Sequence, residues 1–436
     1  MTHDVVVCGA GPAGSVAARR LAAAGARVAL VGTMSRPGWE GLSARSRALL
    51  AEEGLDLKTD VIAGPFARRG VWADGRAVEG TEWLAERSQL AELLRAGARS
   101  AGAEYRQDRV TGANRGTKCW RVGLADGGML TAPIFIDARG RRGRQRRGPL
   151  LLAFSQRFRR PISGAWGTGI GVTDAGWCWW AERDQALWVQ IVGRPRAGHP
   201  AAWAAAAAAQ VPALARALDG ASMDGPPVAR PAHARLGAVG HDPTLWLVGD
   251  AALALDPLSG QGVYEAVRGA RLAATAIQSV LDGGDAGVAQ RFIAERRVEA
   301  WRHGLGAAAG FYRENASRGA FWIETTAAYQ ALLAEPAVPL PASAPALRVE
   351  RRPVLDAGRI TERDVLVTSE HPRGVWQVAG VPLVALKTYL DAAERATTAD
   401  AAMALGRPPA AVASAIHWLQ RAGNAAASLP RISSGG

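Results

Sequence analysis

Cysteine and lysine are both scarce in this chain, with three of each among 436 residues. Cys8, Cys119 and Cys178 show no paired spacing, so the sequence encodes neither a disulfide framework nor a cysteine zinc site, and a reducing compartment fits. Lys58, Lys118 and Lys387 leave the positive charge to arginine; Lys+Arg 52 against Asp+Glu 39 gives a net charge of +13. No apolar run reaches the roughly 18 residues of a membrane span, and Ala201–Ala209 reads as an alanine helix, not an anchor. Met1 is followed within three residues by a strand-like run, without a basic leader segment or a cleavage site. These absences predict a cytoplasmic protein with no metal and no membrane contact. Aromatic and basic residues are nowhere interleaved into a stacking platform, so no nucleic-acid partner is expected. A composition rich in Ala, Gly and Arg accounts for part of the charge. The rest suits an acidic partner, because excess positive charge steers anionic surfaces. The dense run Arg139, Arg141, Arg142, Arg144, Arg146, Arg147 reads as a solvated loop.

What the chain does have is length and apolar content. Hydrophobic residues make up 48%, and the length suggests two or three domains. Asp4–Val7 is a short apolar run, followed by a glycine cluster, a helical stretch Ser15–Ala24, and a second strand-like run Arg27–Val31 after Gly25. That order is one βαβ unit. Leu84–Ala101 reads as an amphipathic helix and Met129–Ala138 as a strand ending at a small-residue turn. Residues 150–235 alternate Trp, Val and Ile with Gly, the pattern of an antiparallel sheet that interrupts the nucleotide domain. Leu245–Val248 resumes the buried-strand pattern, and helix follows from Gly262. Glu335–Pro345, with four prolines, is a linker. Beyond it, strands at Ile360–Val367 and Val375–Val378 and helices at Leu383–Asp391, Thr398–Leu405 and Pro409–Ala422 suggest a winged-helix-type module. The expected organisation is therefore a domain of residues 1–150 and 236–334, a sheet domain 151–235, a linker 335–347 and a terminal module 348–436.

Gly9-Ala10-Gly11-Pro12-Ala13-Gly14 is a G-x-G-x-x-G between a strand and a helix. Gly9 permits the tight turn, Gly11 lets the backbone approach a pyrophosphate, and Gly14 lets helix and strand pack closely. The N-terminus of the helix then presents free N–H groups to the phosphates. An acid usually ends the following strand and grips the ribose; here Gly32-Thr33 stands there, leaving ribose contacts to Thr33, Ser35 or backbone. A second glycine segment runs Gly249-Asp250-Ala251-Ala252 through Asp256-Pro257-Leu258-Ser259-Gly260-Gln261-Gly262. A helix starting there would present free N–H groups and the positive end of its dipole to a ligand carrying negative charge.

The two segments together resemble the superfamily of FAD-dependent aromatic hydroxylases, geranylgeranyl reductases and flavin-dependent halogenases, over residues 1–330. The resemblance implies an α/β fold: a glutathione reductase-like, Rossmann-type FAD domain with an inserted antiparallel substrate sheet and a small winged-helix-like C-terminal module. It implies FAD contacts from the first loop (Gly9, Gly11, Pro12, Ala13, Gly14) and from Thr33. It places Asp250, after Gly249, near the ribityl chain, Pro257 beside the isoalloxazine, and Gly260, Gln261, Gly262 and Val263 at its pyrimidine edge. Leu42 and Arg45, in Glu40-Gly41-Leu42-Ser43 with Arg45 and Arg47, match a flavin-lining loop with a phosphate arginine. Arg87 matches the pyrophosphate arginine, Val110 joins the cofactor set, and Ile136-Asp137-Ala138-Arg139-Gly140 resembles a third fingerprint.

A single dinucleotide site matches hydroxylases that NADH or NADPH visits transiently, with O₂ then giving a C4a-hydroperoxyflavin that hydroxylates an electron-rich ring. Gly176-Trp177-Cys178-Trp179-Trp180 is similar to a halogenase tryptophan segment, but Ala181-Glu182 replaces its Ile-Pro and no lysine matches the halogenase catalytic one, so sheet packing is the plainer reading. The tail resembles the peptide-recognition winged helices of peptide-modifying enzymes, which capture an extended polypeptide. The layout as a whole is similar to the monooxygenases that mature tryptophylquinone subunits, implying hydroxylation of a peptidyl Trp in a small, acidic precursor polypeptide. A small-molecule aromatic hydroxylase, reductase or halogenase of secondary metabolism, and a regulatory flavoprotein with a DNA-touching tail, are the alternatives. His241, His199 and Glu182 are positional candidates for a base, and a dedicated one is dispensable for electrophilic attack on indole; no catalytic residue is assigned.

Overall fold

The computed structural model describes residues 3–34, 37–55, 57, 61–72, 77–141, 145–161, 167–195, 200–238, 242–335, 347–393 and 396–423. The chain divides into two compact units, Met1–Gln278 with Ile293–Glu335, and Ser279–Phe292 with Pro336–Gly436.

In the first unit, a five-stranded parallel sheet has the spatial order Leu245–Leu247, Ile134–Asp137, Val5–Cys8, Val28–Val31, Glu104–Arg106. Its central strand, Val-Val-Val-Cys, is buried throughout, as expected for a parallel strand covered on both faces. Helices Pro12–Ala23 and Arg87–Ser100 belong to the same layered body. A three-stranded antiparallel sheet of Val110–Arg115, Trp120–Leu124 and Met129–Ala132 shares one apolar cluster with it, in which Trp120 stacks on Phe135. The stretch Met129–Ala138 is thus two strands in two different sheets, divided at Pro133, whose missing N–H cannot serve a ladder.

A larger sheet runs Ser222–Met223, Leu152–Arg159, Ala186–Gly193, Gly176–Arg183, Gly167–Thr173, Ile62–Val71, Ala77–Glu86, Trp39–Leu42, with Val228–Pro231 also pairing Leu152–Arg159. The expected antiparallel strands of residues 150–235 are here, but three strands from the N-terminal third extend the same sheet, joined by a parallel seam at Thr168–Gly171 and Arg68–Val71. Such a seam pairs segments a hundred residues apart, and nothing local signals it. It also corrects the helix read at Leu84–Ala101: Leu84 to Glu86 are strand, and the helix starts at Arg87, where the Glu86 carboxylate accepts from the Gln89 N–H as an N-cap.

The second unit has a long hairpin, Arg348–Asp356 with Arg359–Val367, a short one, Gln377–Val378 with Val381–Pro382, and helices Leu383–Ala392, Thr398–Leu405 and Pro409–Gly423. Thr397 and Asp400 form a capping box and Gly406 closes the same helix in the left-handed region. Leu366, Leu386, Leu390, Val412, Ile416 and Leu419 fill its core. The first hairpin strand, rich in Arg and Glu, lacked the apolar alternation that would have marked it in sequence. The residues read as a linker at 336–345 lie outside the described ones.

Candidate functional site

The first glycine loop is built by close approach. A Cβ on Gly14 would stand 1.8 Å from the Gly9 carbonyl oxygen, and one on Gly9, whose φ is +117°, would stand 2.3 Å from that of Ala138. Gly11, by contrast, has open space where a Cβ would be. It is the N-cap of Pro12–Ala23, offers no side-chain cap, and is followed by Pro at the first helical position. Free backbone N–H groups at such an end suit a phosphate. Gly32 explains the missing ribose acid: a Cβ there would lie 2.5 Å from the Ala10 nitrogen, so the strand tip is committed to packing against the loop. Thr33 is exposed beyond it, and Ser35 lies outside the described residues.

The second loop meets the first. Gly249, at φ +60°, brings its would-be Cβ within 2.7 Å of Ala13 Cβ. A cavity of about 550 Å³ opens at this junction, lined by Gly11, Pro12 and Ala13 from one loop and Gly249, Asp250, Pro257, Gly260, Gly262 and Val263 from the other. Gly260 takes the left-handed conformation (φ +62°) after the turn Pro257–Ser259, and Gly262 opens the long helix Gly262–Leu281. Gln261 donates its N–H to Ser259 Oγ at 3.3 Å. Two loops distant in sequence thus make one wall. Space exists where side chains would have closed it, and that fits a dinucleotide.

Arg87 lines the cavity too, and its Nε donates to Glu40 at 2.7 Å. Arg45 is not among the lining residues; its guanidinium lies 4.7 Å over the Tyr264 ring and donates to the Tyr264 hydroxyl at 3.0 Å. Leu42 is buried in the edge strand beside Gly41. Val110 begins the three-stranded sheet and packs on the cluster of Val6, Cys8 and Phe135, away from the lining. Ala138 and Gly140, from the third fingerprint, do line the cavity. Arg139 is held by Asp137, donating from Nε at 3.0 Å.

Arg141 corrects the reading of the arginine run as solvated loop. Its Nε donates to Asp250 Oδ2 at 3.0 Å and one terminal nitrogen donates to the carbonyls of Pro231 and His233 at 2.8 and 3.0 Å. It pins the second flavin-type loop to the strand Val228–Pro231. Residues 142–144 lie outside the described ones.

In the sequence Asp256 is only a member of the second glycine segment, with no role of its own. The group is 2% exposed, and its carboxylate accepts from the Leu258 N–H at 2.9 Å, the Tyr312 hydroxyl at 3.2 Å and the Tyr329 hydroxyl at 2.5 Å. Tyr312 in turn accepts from the Trp177 indole at 3.3 Å. Burial pushes the Asp256 carboxyl up from its ordinary value, against the pull of these donors, and pushes both tyrosines well above theirs. The only sequence signal was an acid directly before Pro257.

The opposite wall of the cavity is the floor of the large sheet: Arg68, Glu82, Ser155, Ile170, Trp177, Trp179 and Gln190. Trp177 and Trp179 face it from alternate positions of one strand, while Cys178 and Trp180 pack into a separate apolar cluster, so the tryptophan segment both packs the sheet and lines the chamber. Glu182 is not in the lining; it pairs with Arg160, and burial raises its carboxyl. His199 and His241 lie outside the described residues.

The FAD binding domain family matches residues 4–147. A solved structure described as "Peptidyl tryptophan dihydroxylase QhpG essential for tryptophylquinone cofactor biogenesis" is 28% identical to this chain with a TM-score of 0.81, covering 97% of this chain and 100% of that one. The FAD binding domain and this end-to-end likeness support an FAD-dependent monooxygenase. Other solved flavoenzymes share its fold: CmlS, a flavin-dependent halogenase, has a TM-score of 0.71 at 19% identity over 97% of this chain and 95% of its own, and the halogenase CndH 0.65 at 20% over 74% and 86%. No curated protein sequence matches the chain. Among the described residues of this flavoprotein, no helix is long and apolar enough to cross a membrane and no group of His, Cys, Asp and Glu could hold a metal ion.

Proposed function

We propose that this monooxygenase hydroxylates the indole ring of a Trp residue within a small precursor polypeptide, twice, during tryptophylquinone biogenesis. The observation that carries the reading is the end-to-end likeness to QhpG, which takes in the C-terminal unit as well as the flavin domain. FAD would be held by the first glycine loop, through the backbone N–H groups of Gly11, Ala13 and Gly14, by Asp250 and by Gly260–Val263, with Thr33 and Arg87 at the adenosine and pyrophosphate end. When bound, FAD supplies activated oxygen. Each hydroxylation uses one O₂ and two electrons from NADH or NADPH: one oxygen atom enters a ring C–H bond and the other leaves as water.

The chain's own contribution is positioning and exclusion of water. The floor of Trp177, Trp179 and Ile170 offers an apolar seat for an aromatic ring, with Pro257 and Leu258 on the flavin side. We read the C-terminal unit as a winged-helix-like module that captures the polypeptide, and the excess arginine as complementary to an acidic precursor, acted on in the cytoplasm. The halogenase alternative would need a lysine in the chamber, and none is among the described residues that line it.

Flavin-loaded protein with reduced nicotinamide, O₂ and the candidate precursor should add two oxygen atoms to the polypeptide, by intact mass. An unchanged polypeptide, with nicotinamide oxidation indifferent to its presence, sinks the reading.

A further inference from the structure

The cavity floor contains a carboxylate with unused accepting capacity. Glu82, on the strand Ala77–Glu86, is 7% exposed, and among the described residues its one hydrogen-bond partner is the Trp179 indole, whose N–H donates to Oε2 at 3.2 Å. The other oxygen is accommodated by Gly41, where a Cβ would stand 2.1 Å from Oε1. A carboxylate can accept about four hydrogen bonds, and a buried one with a single neutral donor is under-solvated. Arg68, on the neighbouring strand, shares this face, since Phe66 is paired with Glu82 and Arg68 lies two residues on. Arg68 lines the same cavity, and its Nε is buried without a hydrogen-bond partner among the described residues. The floor therefore presents an acceptor and a donor beside two indoles.

The geometry points to Glu82 as the acceptor for the ring N–H of the substrate, with Arg68 free to donate to the main-chain carbonyl of the same residue. This rests on the reading that an indole enters this cavity. One indole N–H already satisfies Glu82 Oε2, so the site is built for that donor. A second indole beside Trp179 makes the equivalent contact, and its ring is then held by an edge that leaves the benzo carbons free. Electrophilic oxygenation of an indole develops positive charge that the ring nitrogen shares, so a carboxylate on that N–H helps the reaction as well as the binding.

The test uses N-acetyl-tryptophanamide and its ring N-methyl analogue, titrated into the FAD-loaded full chain and followed by the flavin absorbance, without reductant. The wild-type protein should bind the N–H probe about 10- to 100-fold more tightly, the range for a hydrogen bond to a charged group. Glu82→Leu should abolish that preference and Glu82→Gln should reduce it, with FAD content unchanged. Equal binding of the two probes by wild type, no binding of either, or a preference that persists in Glu82→Gln and Glu82→Leu overturns the assignment. Oxygenation is read separately, by the mass of a precursor after turnover, so loss of that reading leaves the probe result standing and the reverse.

Discussion

The Tyr329 hydroxyl donates to Asp256 Oδ2 at 2.5 Å inside a region closed to solvent, and Tyr312 donates to the same oxygen, its ring stacked on that of Tyr329 at 5.6 Å. Asp256 also caps the turn that presents Pro257 and Leu258 to the cavity. The tyrosines thereby fix the flavin-side loop through a carboxylate that itself never reaches the cavity.

Tyr329→Phe removes one of three donors and leaves the carboxylate less satisfied, so it should cost ~1–3 kcal/mol of stability, checked by denaturant unfolding. Burial raises the Asp256 pKa, so the fold favours its neutral form. That contribution is full below the ordinary value of 3.8 and is lost as pH rises through the higher folded value. Asp256→Asn, which cannot ionise, should therefore gain stability relative to wild type as pH rises from acid to neutral. A constant difference across that window contradicts the burial argument.

Gly14→Ala places a methyl where the Gly9 carbonyl stands. The strand–helix contact must open, and FAD per mole of purified protein should fall at least about tenfold, the result of losing ~1.4 kcal/mol or more in holding it. Gly306→Ala is the contrast. It lies in the helix Ala286–Glu314 with nothing near its would-be Cβ, so it should leave FAD content unchanged and stabilise by up to ~1 kcal/mol.

Arg141→Lys keeps the charge but loses the fork that reaches Asp250 and two carbonyls at once. FAD affinity should fall by roughly tenfold, and Asp250→Ala in that background should add less than it does alone, a coupling on the order of 0.5–3 kcal/mol. Calorimetric titration of the stripped protein with FAD checks both.

Glu182→Gln should leave hydroxylation within about twofold of wild type, because its carboxylate is spent on Arg160 and stands off the cavity lining. A large loss in steady-state rate with FAD retained would restore it as a base.

Much of this was legible in the residues. Gly9 to Gly14 and Gly249 to Gly262 announce themselves because their glycines cluster within a few residues, Gly9, Gly14 and Gly249 where a Cβ would clash and Gly11 where the space stays open. The helices Leu383–Ala392, Thr398–Leu405 and Pro409–Gly423 follow from periodicity and caps that lie within a few residues. What stayed hidden is tertiary. Glu82 meets Trp179, Arg141 meets Asp250, and Tyr312 and Tyr329 meet Asp256 only once the parallel seam and the helices bring distant segments together. No spacing rule connects such pairs. Gly32 shows the reverse effect, since its departure from the usual acid is explained by Ala10, a neighbour in space alone.

The most direct measurement is the origin of the added oxygen. Turnover with heavy-isotope O₂ in ordinary water, followed by fragmentation of the precursor polypeptide, should place two heavy oxygen atoms on the ring of one Trp. Oxygen drawn from water, or label found on no tryptophan, would contradict the assignment of this chain as a peptidyl-tryptophan monooxygenase.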